Sequence, residues 1–432
     1  MGTSIGDSSR HSNGGADRAR LPTRGMDAAD LRQRLDDAAA GDADWLGRMA
    51  AGTNYPAGDD VLDVAKAAYL RFFSTNALLP STFPSLARFE RDIIDYAAGL
   101  FHGPDAIGSV TSGGSESILM GVKSARDRAR RRHPEVTSPE MVVPVSAHPA
   151  FTKAAHYFGL TPVVVPLGAD HQVDLDAYRA AVRADTVLLV ASAPSLTLGM
   201  VDPIEELAPL AAERDIGFHV DSCVGGFFLP FVEKLGEPMA RFDFRVPGVT
   251  TISADLHKFG YAAKGASLII SRDRDVFEHQ PFRYGDGSRP DDWYVTPSMT
   301  GTRPGGAIAA AWAVMNYLGE AGYLDRTSRT LAYLRRWWAA IEAVEGLHVM
   351  GSPAMSVFAV ASASLDMFAV GKGMEQRGWM VYADSEPVPA IRFMQSPGHE
   401  PYVDRYMADL REVADAVRRG TLTTTEGRAN YT

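Results

Sequence analysis

The stretch TVLLVASAPSLTLGMVDPIEELAPLAAERDIGFHVD, residues 186–221, decides the fold. Its first run, TVLLVAS, is short, apolar and rich in β-branched residues, and its last, GFHVD, is a second strand candidate ending on a carboxylate. Between them PIEELAPLAAERD spaces its apolar residues three and four apart, the period of a helix with one buried face. A strand, a helix and a strand in this order form a crossover unit with parallel strands.

The same alternation extends in both directions. MVVPV (141–145) and PVVVPL (162–167) come before it, ASLIIS (266–271) follows, and DLDAYRAAVRA (174–184) is a further helix candidate. Alternation of this kind implies an α/β fold on a mainly parallel sheet covered on both faces. From about Asp27 to Phe101 the pattern is helical, with VLDVAKAAYLRFF and LARFERDIIDYAAGLF flanking the proline-punctuated loop STNALLPSTFPS. After Pro304, GGAIAAAWAVMNYLG leads into a second helical run containing LAYLRRWWAAIEAVEG. Two strand-like segments, LHVMG and MSVFAVAS, and helices starting near Asp366 and Pro401 then suggest a smaller α+β domain. The expected organisation is a disordered leader over 1–26, an N-terminal helical segment over 27–108, a large domain over 109–320 and a small C-terminal domain over 321–432.

Composition narrows the function classes. The chain has 432 residues, 46% hydrophobic, enough for a large core, and no apolar run long enough to span a membrane. A formal charge of -10 opposes nucleic-acid binding, which needs clustered Lys and Arg. The basic run RDRARRR (126–132) fits a helix end, where it complements the helix dipole. A single cysteine, Cys223, excludes an internal disulfide and a cysteine zinc cluster, and suggests a reducing, cytoplasmic setting. No metal site is expected.

In an open α/β sheet, ligands bind beyond the carboxyl ends of the strands. Four segments place polar residues there. In SVTSGGSESILMGV (109–122) a Gly and Ser loop opens into a helix; this is either a phosphate cradle of backbone amides or a plain N-cap and glycine turn. In VSAHPAFTKAAHYFGL (145–160) His148 follows a strand, as a ring to stack on a flat heterocycle or as a capping residue. In GFHVDSCVGGFFLPF (217–231) Asp221 ends a strand, where a buried carboxylate needs a cation or several donors; a protonated pyridine nitrogen is one such cation, and a metal ligand or a structural hydrogen bond to a loop is the plainer alternative. Cys223 is a small buried residue. In ISADLHKFGYAAKG (252–265) Lys258 has His257 beside it and Lys264 six residues on, cations that would help a Schiff-base lysine lose its proton. A lysine and a carboxylate after successive strand candidates, with a phosphate loop upstream, point to pyridoxal phosphate.

Taken together, VTSGGSESILM, HPAFTKAAHYFG, HVDSCVGGFFLPF, ISADLHKFGYAAKG and MTGTRPGG resemble, in this order, the sphingosine-1-phosphate lyase branch of the group II pyridoxal-phosphate decarboxylases. The likeness runs from about Tyr55 to the SPGHEPYVDRYMADL segment (396–410). It implies fold type I, the aspartate-aminotransferase type: a large domain on a mainly parallel seven-stranded sheet, and a smaller C-terminal α+β domain. It also implies a homodimer with its active sites at the interface. By motif, Lys258 would be the Schiff-base lysine, His257 would contact the cofactor phosphate, Gly114 and Ser115 would bind that phosphate, His148 would stack on the ring and Asp221 would pair with its nitrogen. Gly301 and Thr302 match a turn that reaches the phosphate from the partner subunit. Lys264, Tyr55 and Asn76 match residues that hold the substrate, and Leu79 stands where the family has a histidine. Milder departures are Ser115, Thr302, Phe259 and Ala263. The implied activity is a carbon–carbon lyase that splits a phosphorylated or otherwise anionic β-hydroxy amine into an aldehyde and an amine. An amino-acid decarboxylase or an aldolase-type biosynthetic enzyme on the same scaffold is the neighbouring alternative. A non-catalytic scaffold relative is the alternative of another class, opposed by the retention of Lys258, Asp221 and the phosphate loops.

Overall fold

The structure is a computed structural model and describes residues 21–45, 54–285, 294–385 and 388–423. The leader expected over 1–26 lies, up to residue 20, outside the described residues. Residues up to Asp44 form a unit of their own that contains helix α1 (Ala28–Ala39). The Asp27 side chain caps this helix by accepting the Ala29 N–H at 2.7 Å, and none of its residues is buried.

In the second unit, α2 (Asp59–Arg71) and α3 (Pro84–Leu100) are the two helices read from three-and-four spacing. Pro84 opens α3, where its missing N–H would have no intrahelical partner, and Leu86, Ile93, Ile94 and Ala97 form the buried face. The chain then runs β1 (Ile107–Thr111), α4 (Gly114–Arg132), β2 (Glu140–Pro144), α5 (Ala150–Phe158), β3 (Thr161–Val165), α6 (Leu175–Ala181), β4 (Thr186–Ser192), α7 (Ile204–Glu213), β5 (Gly217–Asp221), α8 (Leu229–Lys234), β6 (Thr251–Ala254) and β7 (Ser267–Ser271). The seven strands form one sheet in the order β1-β7-β6-β5-β4-β2-β3. It is parallel except for β7, which runs against both β1 and β6. Every residue of β4 and β5 is buried, as expected of central strands covered on both faces.

Two strands escape a search for apolar runs. IGSVT is too polar to signal β1, and Gly108 is there because a Cβ would lie 2.4 Å from the Ile269 carbonyl oxygen of β7. β6 is hidden in the mixed stretch around Lys258. The basic run 126–132 does end a helix, α4, and Arg128 and Arg132 pair with Asp215 and Asp275.

After α9 (Arg274–Phe277) and a two-stranded ladder, β8 (Phe282–Arg283) with β9 (Val295–Thr296), comes α10 (Gly305–Glu342). The two helical runs expected here meet at Gly319, which adopts φ 54°. Small residues at the start of α10 admit close packing: a Cβ on Gly305 would fall 2.0 Å from Thr75 Oγ1, and one on Gly306 3.0 Å from the Tyr69 carbonyl oxygen. The far end of α10 carries Trp337 into a second core, edge-on to Phe358, Phe393 and Tyr406 at 5.4, 5.1 and 5.7 Å. That core belongs to β10 (Leu347–Val349), β11 (Val357–Ser362), α11 (Met367–Gln376), β13 (Ala390–Met394) and α12 (Val403–Arg418), and β12 (Tyr382–Asp384) pairs with β13 at the edge of their sheet. The four strands form an antiparallel sheet ordered β10-β11-β13-β12, the smaller α+β domain. Among the described residues no helix is long and apolar enough to cross a membrane.

Candidate active site

The carboxyl ends of β5 and β6 and the amino ends of α4 and α5 converge on a cavity of about 370 Å³. Gly114, Ser115, His148, His257 and Lys258 all line it, with Cys223, Glu116 and Asp255. Four segments remote in sequence meet because crossover connections bring every such turn to one edge of the sheet.

Asp255 organises the centre. It is buried, and its Oδ2 lies 3.1 Å from Lys258 Nζ and 3.5 Å from His257 Nε2. Burial opposes the Asp255 charge, but Lys258 and His257 outweigh it and hold the carboxyl below its ordinary value. Lys258 differs from the sequence expectation. Burial alone would strip its proton, yet the facing Asp255 carboxylate prevails and raises its pKa. The expected cations, His257 and Lys264, do not set its protonation; a carboxylate three residues away does. Asp255 Oδ1 is buried and, among the described residues, has no hydrogen-bond partner.

Asp221, at the end of β5, does not line the cavity itself but is hydrogen-bonded to Cys223, which does. Its Oδ1 accepts from the Cys223 N–H at 3.0 Å and the Ser253 hydroxyl at 3.2 Å. The Cys223 thiol is pushed well up by burial, then by Asp221, and so stays protonated, consistent with a packed cysteine. His148 Nδ1 accepts the Ala150 N–H at 3.1 Å, which places the proton of the neutral ring on Nε2. Burial lowers the pKa of this imidazole, against an upward pull from Asp221, and favours that neutral form.

Lys264 lies farther out. Its ammonium sits 5.0 Å from the centre of the Tyr55 ring and 3.3 Å from the His257 carbonyl oxygen. Desolvation, then Lys258, lowers its pKa to about 8. Tyr55 is buried, edge-on to Phe259 at 5.1 Å, with its hydroxyl against the Met394 sulfur.

Asn76, Leu79, Gly301 and Thr302 do not line this cavity. Asn76 Oδ1 accepts from the Leu78 and Arg303 N–H groups at 2.9 and 3.1 Å, and its Nδ2 reaches Thr302 Oγ1 at 3.5 Å. Buried Arg303 binds Glu90 at 2.5 Å and the Ala77 carbonyl at 3.0 Å. The loop after α2 and the turn before α10 are thus one unit. Leu79 is exposed.

Sequence reasoning missed Asp255, Glu116 and Arg303. Asp255 directly follows β6 and would have been found had that strand been recognised. Glu116 Oε2 accepts from the Ser112 N–H and hydroxyl, both at 2.6 Å, and Oε1 from the Met299 N–H at 2.7 Å. That tie joins the glycine loop to the segment leading to Thr302, and no local pattern announces it.

The pyridoxal-dependent decarboxylase conserved domain matches residues 55–350. The chain is 40% identical over 361 residues to sphingosine-1-phosphate lyase 1 of Rattus norvegicus, covering 83% of this chain and 63% of the rat protein. It is 38% identical over 407 residues to sphingosine-1-phosphate lyase of Arabidopsis thaliana, covering 92% of this chain and 74% of the plant protein. The structure of Burkholderia pseudomallei sphingosine-1-phosphate lyase superposes with a TM-score of 0.87 at 37% identity, covering 93% of this chain and 94% of that one. The chain therefore spans less than two thirds of the rat relative's length but nearly all of the bacterial one. With its seven-stranded sheet, its lysine cavity and a domain match from Tyr55 to Met350, the chain belongs to the pyridoxal-dependent decarboxylase family.

Proposed function

We propose that this chain is a pyridoxal-phosphate-dependent carbon–carbon lyase that splits a phosphorylated or otherwise anionic β-hydroxy amine into an aldehyde and an amine. The residues present fit the cofactor. The first-turn N–H groups of α4 have no intrahelical acceptors, and the bare Gly114 keeps the cradle open; a Cβ there would fall 2.8 Å from both Asp255 Oδ1 and Cys223 Sγ. Gly114, Ser115 and His257 would hold the phosphate, Lys258 the aldehyde carbon, the His148 ring the flat face, and Asp221 the ring nitrogen. The unpartnered Asp255 Oδ1 is a buried acceptor left for a donor. When bound, the cofactor supplies an electron sink for the bond that breaks at the amine-bearing carbon.

The chain's own residues do the rest. Asp255 holds the proton on Lys258 and balances its charge, so the amine becomes nucleophilic only when that proton is given up. In the overall reaction the hydroxyl proton departs, the carbon–carbon bond breaks and the amine-bearing carbon gains a proton, with no other reactant. Lys264 is the observation that carries the reading: a cation standing over Tyr55 at the edge of the lysine site suits a substrate with an anionic head group of its own. The reading includes a homodimer in which the turn at Gly301 and Thr302, which does not line this cavity and is bonded to Asn76, completes the partner's site. The single buried Cys223 supports a reducing, cytoplasmic setting.

The test is incubation with β-hydroxy amines and amino acids, each with and without phosphate, scoring aldehyde and carbon dioxide together. Aldehyde from the phosphorylated amines, lost in Lys258→Ala, is expected. Carbon dioxide without aldehyde would make the protein a decarboxylase and overturn the proposal.

A further inference from the structure

His219 lies on β5 two residues before Asp221 and is fully buried. Both ring nitrogens meet hydroxyls of the neighbouring strand: Nδ1 is 2.8 Å from Thr251 Oγ1 and Nε2 is 3.2 Å from Ser253 Oγ. The register pairs His219 with Thr251 and Asp221 with Ser253, so these four side chains occupy adjacent rows of β5 and β6. Ser253 Oγ in turn lies 3.2 Å from Asp221 Oδ1.

The proton positions follow from one end of this chain. An ionised carboxylate only accepts, so the single Ser253 hydroxyl hydrogen goes to Asp221. Every other group on Ser253 Oγ must then donate to it: the Cys223 thiol at 3.3 Å, and His219 through an Nε2–H. Burial pushes His219 down to about 4, so the ring is neutral and carries one proton. Nδ1 is therefore bare, and the Thr251 hydroxyl donates to it. The order is Thr251, His219, Ser253, Asp221, each bond fixing the direction of the one before.

α4 is shaped around this ring. A Cβ at Gly121 would fall 2.7 Å from His219 Nδ1 and 2.9 Å from Cε1, so the helix carries a glycine mid-length where alanine would favour helix. An imidazole, two hydroxyls and a carboxylate are costly to bury unless every polar atom is satisfied, and an apolar ring would pack here without that demand.

We propose that His219 is a positioning residue for the lyase: acting through Ser253, it fixes Asp221 Oδ1 and so holds that carboxylate as the partner of the cofactor's ring nitrogen. The inference rests on the pyridoxal phosphate reading above. It assigns His219 no contact with substrate or cofactor.

The experiment compares wild type, His219→Phe, His219→Gln, Ser253→Ala and the His219→Phe/Ser253→Ala double variant. Cofactor affinity is read by absorbance titration, kcat and KM on the same preparations, and Tm as the control for folding. His219→Phe and Ser253→Ala should each bind pyridoxal phosphate roughly tenfold more weakly, the factor for one hydrogen bond to a charged group. In both, kcat should fall with KM little changed. The double variant should be no worse than either single one, because both cut the same chain. His219→Gln, which can place a donor near Nε2, should recover most of the loss. In the apoprotein, nitrogen NMR should show the Nε2–H tautomer of His219 unchanged between about pH 5 and 8. Should His219→Phe not fold, His219→Gln, Ser253→Ala and the tautomer carry the test. Variants that bind cofactor like wild type, additive losses, or an Nδ1–H tautomer would overturn the inference. A wild-type protein that takes up no cofactor would instead sink the cofactor reading and this inference with it, a result distinct from coloured variants that match wild type.

Discussion

Lys258 Nζ stands 3.1 Å from Asp255 Oδ2, and this ion pair sets the protonation of the lysine. Asp255→Asn removes the charge that holds the proton. The variant apoprotein should combine with pyridoxal phosphate at lower pH, its reconstitution profile moved down by about one to three units, the usual reach of an adjacent opposite charge. Stability moves in step. The lowered Asp255 pKa contributes stability that is complete above the ordinary carboxylate value of about 4 and lost as pH falls through the folded value; the raised Lys258 pKa contributes stability present below the ordinary lysine value of about 10.4 and lost as pH rises through its folded value. Absorbance during reconstitution across pH checks the first effect, and loss of the acid and alkaline limbs of urea unfolding the second.

Lys264 is charged below about 8 in the free protein. For a phosphorylated substrate kcat/KM should hold level below that pH and fall above it, since deprotonation removes the cation that meets the anion. Lys264→Met should lower the level roughly tenfold and abolish this limb, leaving an uncharged analogue unaffected. Steady-state profiles on the two substrates decide it.

Arg303→Met should cost about 3–5 kcal/mol of stability, because it leaves the Glu90 carboxylate unpaired in a largely buried setting and two main-chain carbonyls without their donor. Equilibrium urea unfolding measures it, and a loss below 1 kcal/mol would show the pair to be solvated.

If Asn76 completes the partner's site, Lys258→Ala and Asn76→Ala are inactive alone but complement on mixing. Random reassortment makes half of the dimers mixed, each with one complete site, so about a quarter of wild-type activity should return. No recovery after subunit exchange would place Asn76 and Lys258 in the same protomer's site.

Leu79→His restores a donor at an exposed position beside Asn76. The KM for a phosphorylated β-hydroxy amine should fall roughly tenfold, with little change for the unphosphorylated amine. An equal effect on both would separate Leu79 from the head group.

Sequence reading found the α/β class and the residues at the cavity because both are local. Strand and helix periods are written in runs such as TVLLVAS and PIEELAPLAAERD, and β4, α7 and β5 follow them. Polar residues after the visible strands mark one edge of such a sheet and single out Asp221 and His148, whereas Gly114 and Lys258 stand out by local patterns of their own, a Gly and Ser loop opening a helix and a lysine with cations close by in sequence. β1 and β6 were not visible, since IGSVT and TISA become strands only through the partners they pair with.

By itself, then, the sequence determined which segments are strands and helices where the hydrophobic period is strong, and which functional groups follow them. Tertiary structure alone decided how those groups act on one another: that Lys258 answers to Asp255 rather than to its neighbouring cations, that Glu116 reaches Met299, that Asn76 is bound to the turn at Thr302, and that His219 touches Ser253. The physical reason is range. Periodicity lives in a few residues of chain, whereas a pKa or a proton's position is set by whatever lies within a few ångströms in space, however distant in sequence.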